Sequence, residues 1–166
     1  MLTRAGHLAH NLGDFTAARV LFEESLALWR ELGGQQGIAT SLNDLGWVVL
    51  CQGDYSVARS LSQESLALWR ELGDQQGIAT SLHNLGRVAH CQGDYAAARV
   101  LHQESLALQQ ALEDQRGIAF ALTHLGWAMH KQGDYRGATA LLAACRREQA
   151  MAHYKALRLV RSRPFA

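Results

Sequence analysis

The side chains with the most chemistry to offer in this 166-residue chain are its eight histidines and three cysteines. An imidazole can ligate a metal, move a proton or, once protonated near neutral pH, hold an anion. Zinc would need three or four such ligands converging at about 2.0 to 2.3 Å. Only His7 and His10 have a chelating spacing within one helix, while the adjacent pairs His90-Cys91 and His130-Lys131 point in diverging directions. Cys51, Cys91 and Cys145 form no disulfide framework and fit a reducing compartment. Catalysis has no firmer footing. The Gly-Asp-Tyr triplets at 53–55, 93–95 and 133–135 recur as punctuation between helices, not as a phosphate-cradling loop after a strand. Glu24, Glu64 and Glu104 read as helix-surface carboxylates, solvated or paired with arginine. The sequence therefore reads as noncatalytic, with no cofactor and no dedicated metal. A small-molecule or metal receptor using the histidines is kept as an alternative.

What positions these residues is a repeat. Gly-Asp-Phe at 13–15 and the three Gly-Asp-Tyr triplets stand forty residues apart, as do Gly6, Gly46, Gly86 and Gly126, and Ala18, Ala58, Ala98 and Ala138. Each unit divides into two helices. Ile38, Leu42, Leu45 and Val49 form one apolar stripe at helical spacing, and Gly53-Asp54 breaks that helix. The second helix starts at Tyr55, with Asp54 placed to cap it and Gly73 to close it. Asp74 and Asp114 can cap the next first helices. A helix pair this thin cannot bury its own stripe, so successive pairs must stack into a solenoid.

Leu42-x2-Leu45-Gly46-x2-Val49, then Gly53-Asp54-Tyr55, then Ala58, resembles the tetratricopeptide repeat. The resemblance covers essentially residues 2–148 and implies an all-α, right-handed superhelical solenoid of antiparallel helix pairs. Phe22 matches the second-helix aromatic of that family, but Ser62, His102 and Leu142 replace it in later units. The period of forty is similar to the repeats of spindle-orientation adaptors, of peptide-sensing bacterial regulators and of sensor arrays on bacterial ATPase-type transcription factors. Four units are expected, at 1–33 (shortened at its start), 34–73, 74–113 and 114–148, followed by a basic capping helix or tail at 149–166.

Function is sought where the copies differ. NDLGWVVLCQGDY at 43–55 returns as HNLGRVAHCQGDY at 83–95 with five changes. On a helical wheel, four of them (Asn43/His83, Asp44/Asn84, Trp47/Arg87 and Leu50/His90) share one arc of roughly 120° opposite the core stripe. The fourth unit supplies Phe120, Thr123, His124, Trp127, His130 and Lys131 to that arc, and the first supplies His7, His10 and Asn11. Exposed positions can simply drift, but large apolar groups and arginine on an exposed arc are the residue types that dominate binding hot spots. The resemblance implies that this arc lines a concave groove where peptides bind. Its lining suits a peptide or protein segment with acidic and apolar side chains. Six of the eight histidines lie on the arc, so its charge is expected to rise below about pH 6.5 and acidic peptides to bind more tightly there.

The remaining expectations are coarser. Sixteen Lys and Arg against fifteen Asp and Glu leave a formal +1, which gives no global attraction to nucleic acid or anionic membrane. Arg146, Arg147, Lys155, Arg158, Arg161 and Arg163 are the one candidate for a nucleic-acid or acidic partner. No apolar run approaches the roughly 18 residues that span a bilayer, and a cytoplasmic protein is expected. Met1 aligns with Ser41, so the first unit lacks the opening of its first helix. A fragment or degenerate copy of a longer array, or a chain that pairs with a second copy through that open end, is expected; a sensor or oligomerisation segment of a bacterial transcriptional regulator is the alternative function.

Overall fold

The computed structural model describes residues 1–141 together with 143 and 146. Seven helices are complete among them: α1 Leu2–Asn11, α2 Phe15–Leu32, α3 Gln35–Cys51, α4 Tyr55–Leu72, α5 Gln75–Cys91, α6 Tyr95–Ala111 and α7 Gln115–Lys131. Residues 135–141 are helical again. Cys145 and the basic segment 149–166 lie outside the described residues.

The boundaries fall where the turn chemistry places them. The carboxylates of Asp14, Asp54 and Asp94 accept the backbone N–H groups of Ala17, Val57 and Ala97 and so cap α2, α4 and α6. Asp74 does the same for α5 through Gly77, and Asp114 for α7 through Arg116 and Gly117. Gly34 caps α3 with no side chain at all. Both α2 and α4 end on a left-handed glycine, Gly33 and Gly73, each at φ 69°. At the matching place after α6 the left-handed residue is Glu113, at φ 55°, where a side chain costs roughly 1–2 kcal/mol.

Consecutive helices pack as antiparallel pairs, and the first helices also touch one another, α3 against α5 and α5 against α7. Small residues permit this closeness. Gly6 lies under the Phe22 ring and Gly86 under the His102 ring, with a Cβ on either placed 2.6 Å from a ring carbon. Gly46 faces the Ser62 hydroxyl at the same step. Leu42, Leu45 and Val49 are buried as the stripe requires, with Ile38 packed beside them. A polar seam runs through the same interfaces: Ser65 Oγ donates to the Ala39 carbonyl at 2.7 Å, and Ser81 Oγ donates to Asn43 Oδ1 at 3.1 Å.

Stacking of the first helices buries more of α3 and α5 than a two-helix wheel allows. Asn43, Leu50 and Asn84 were expected on an exposed arc, yet they are 6%, 5% and 5% exposed. The wheel counted only the partner helix within one unit; α3 is also covered by α2 and α5.

Candidate functional site

Residues from α1, α3, α5 and α7, with Phe22 of α2, enclose a cavity of about 370 Å³ on the face formed by the first helices. Asn43, Asp44, Trp47, His83 and Asn84 border it, so five of the eight arc residues named in the second and third units do meet in one place. Their roles are unequal. Asn84 Nδ2 donates to Asn43 Oδ1 at 3.3 Å, which binds α5 to α3 and commits part of both amides to the fold. Trp47 donates its indole N–H to His10 Nε2. The Arg87 guanidinium lies 3.4 Å above the Trp47 ring centroid, a stacked cation–π contact. Among the described residues no carboxylate pairs with Arg87, and its Nη1 is buried without a hydrogen-bond partner.

Beside Arg87 stands a cluster of imidazoles. His83 and His124 meet at 4.6 Å between ring centroids, His83 and His102 at 5.2 Å, and His102 and His124 at 5.3 Å. His124 Nδ1 donates to the Phe120 carbonyl at 2.9 Å, and its ring packs on Trp127 at 4.9 Å. His102 is wholly buried, with neither ring nitrogen bonded. Burial pushes the His83 imidazole down to about 2 and that of His102 to about 3, and the charges of neighbouring His124 and Arg87 act in the same direction. Burial also lowers His124 and His90, the latter helped by Lys131. The expectation that the groove gains charge below about pH 6.5 is thereby corrected for His83, which stays neutral because protonation would strand a cation away from water, while His90 and His124 are shifted in the same direction. His7 moves the other way: the Asp44 carboxylate, whose Oδ2 stands 3.3 Å from Nε2, raises it from the ordinary histidine value. No group of three or more His, Cys, Asp or Glu among the described residues is arranged to hold a metal ion.

The position shared by His10, Leu50, His90 and His130 has a packing role. Three of these rings sit edge-on against the turn aromatic five residues later, His10 on Phe15 at 5.4 Å, His90 on Tyr95 at 5.2 Å and His130 on Tyr135 at 5.0 Å. Leu50 is sealed in the core, so it offers a ligand no surface and is withdrawn from the site. The constant five-residue spacing in all four units was a legible sign of this. On α7 the arc opens outward: Phe120 is 61% and Trp127 50% exposed, with His130 and Lys131 exposed beside them. Thr123 donates its hydroxyl to the Ala119 carbonyl at 2.8 Å. Sequence reading missed His102 and Phe22, which enter from second helices; the replacement of Phe22 by His102 at the same repeat position was the available signal.

Stacked antiparallel helix pairs with one aromatic, imidazole-rich face define an α-solenoid. The tetratricopeptide repeat profile matches residues 1–71, 52–111 and 77–156, and the chain belongs to the tetratricopeptide repeat family, generally protein-interaction modules. A search of the curated proteins finds no match. In fold the chain is similar to BtubC (BKLC) from P. vanneervenii, with 24% identity and a TM-score of 0.79 over 92% of this chain and 63% of that one. It is similar also to a Rap protein solved with Competence and Sporulation Factor, with 15% identity and a TM-score of 0.85 over 90% of this chain and 42% of that one. The tetratricopeptide domain of Arabidopsis FLU is a third, with 20% identity and a TM-score of 0.66 over 70% of this chain and 98% of that one. The chain thus spans 63% and 42% of the first two. No helix among the described residues is long and apolar enough to cross a membrane.

Proposed function

We propose that the face formed by α1, α3, α5 and α7 is a groove that binds a peptide or protein segment, noncatalytically, with a carboxylate of that segment anchored on Arg87. The observation that carries this reading is the Arg87 guanidinium stacked on Trp47 with no carboxylate paired to it among the described residues. A cation with no carboxylate beside it gains from an anion that reaches its accessible edge through a charge-assisted hydrogen bond. Trp127 and Phe120, half or more exposed on the next first helix, offer apolar footing for the neighbouring side chains. His124, Thr123, His130 and Lys131 border that end. Similarity of fold to a Rap protein solved with its factor is compatible with a sensor segment of a longer regulator, whose other activities would then lie outside this chain.

Random-sequence peptides selected on the wild-type chain, and counter-selected on a Trp47→Ala, Arg87→Ala, Trp127→Ala triple variant, test the groove. Enrichment of peptides carrying Asp or Glu beside apolar residues is expected, with loss of binding in the triple variant and an unchanged helical circular-dichroism signal. Peptides retained equally by a folded triple variant would sink the groove reading.

A further inference from the structure

We infer that the cavity bordered by Asp44 is an ammonium pocket, which takes the amino group of the bound segment on a short aliphatic arm, with the Asp44 carboxylate as counter-ion and Phe22, Trp47 and Phe120 as walls. This deepens the groove reading and rests on it. A cavity of about 370 Å³ accommodates one long side chain or one chain end. Its walls are largely aromatic, and Asp44 is the one carboxylate among the residues that border it. Asp44 Oδ2 is buried and receives no well-aligned hydrogen bond. Its nearest cation is His7, whose Nε2 stands 3.3 Å away on a side chain that is 55% exposed. An ammonium group supplies three donors and sits favourably against aromatic faces, so it satisfies both features at once. A carboxylate brought here would meet Asp44 instead, which separates this pocket chemically from Arg87.

The surrounding groups make His7 the one that answers to the ligand. On α1, His10 already accepts the Trp47 indole N–H. From α2 the cavity receives the Phe22 ring, and from α7 Phe120, with His124 behind it against His83. On α5, His83 stays neutral through burial and Arg87 is held on the Trp47 face. His7 serves as the counter-ion of Asp44, which favours its protonated form. A ligand ammonium that takes over Asp44 removes that support, and His7 gives up its proton to water. Binding therefore competes with protons and tightens as pH rises from 6 to 8.

The test uses the full chain and small probes, so it does not depend on any selected peptide. n-Pentylammonium, which keeps its charge across pH 6–8, is titrated against n-pentanol as its neutral isostere, with calorimetry or the Trp47 indole N–H resonance as readout. Binding of the ammonium at least about tenfold tighter than the alcohol at pH 8 is expected from one charge-assisted hydrogen bond. That preference should weaken toward pH 6, vanish in Asp44→Asn, and lose its pH dependence in His7→Ala. Leucinamide and Nα-acetyl-lysine methylamide, compared at pH 7, then distinguish a chain N-terminus from a lysine side chain as the source. Equal binding of pentanol, an Asp44→Asn variant with intact thermal unfolding and unchanged preference, or tighter binding at pH 6 would each overturn the ammonium pocket. Peptide capture that survives such a result leaves the groove reading standing; failure of capture with the probes still bound does the reverse.

Discussion

Replacing Arg87 by methionine is expected to weaken an acidic segment by about 10- to 100-fold while moving the stability of the chain by no more than about 1 kcal/mol. The two halves of that expectation come from different terms. A charge-assisted hydrogen bond is worth roughly 1.5–3 kcal/mol, the range that sets the loss of binding. For the fold itself, losing the stacked cation on Trp47 costs about 0.5–2 kcal/mol. Against this stands the relief of desolvating a guanidinium whose Nη1 is buried with no partner and no carboxylate beside it. Methionine keeps most of the aliphatic contact with the indole. Arg87→Lys should fall between, because it retains the charge but not the planar fork. Calorimetric titration with a selected acidic peptide, alongside urea unfolding, reads both quantities. A large loss of stability with little loss of affinity would mean that Arg87 is structural.

The second large effect concerns acid. In the unfolded chain imidazoles take up protons near pH 6.5, whereas in the folded chain burial holds His83 back to about 2 and His102 to about 3. Between those limits the unfolded state binds more protons, so stability is lost as pH falls from about 6.5 toward 3. His102→Phe removes one of the two groups and keeps an aromatic ring over Gly86, as Phe22 lies over Gly6. It also removes two buried ring nitrogens that lack partners, a change expected to stabilise the fold by about 1–2 kcal/mol at pH 7. For a domain of this size that is a rise of about 4 °C in Tm. The acid limb of the unfolding curve should become shallower as well. Thermal melts from pH 7 to pH 4 check this, and a His102→Phe protein that melts lower at pH 7 would show that the imidazole has a stabilising partner in solution.

Most of the helix framework could be read from residues alone because its causes are local. Asp at the start of a helix, Gly at φ above zero at its end and an apolar stripe at helical spacing each act within a few residues, and they placed Tyr55, Asp54 and Gly73 where the structure has them. The site was less legible because it depends on the third dimension. A wheel of α3 alone cannot show that α5 covers Leu50 and Asn43, nor that His102 reaches under the first helices from α6. Charge reading failed for the same reason: the sequence counts six histidines on one arc, but burial decides which of them can hold a proton. Asp44, Trp47, His83 and Asn84, which share one arc of the wheel, do border one cavity, because stacking sets the first helices side by side.

The most direct test of groove binding is the map of backbone and indole amide shifts when a selected peptide is added to the isotope-labelled chain. Changes centred on Asp44, Trp47, Arg87, His124 and Trp127, along α3, α5 and α7, are expected. Changes centred instead on the outward faces of α2, α4 and α6, with the Trp47 indole and Arg87 unmoved, would contradict it.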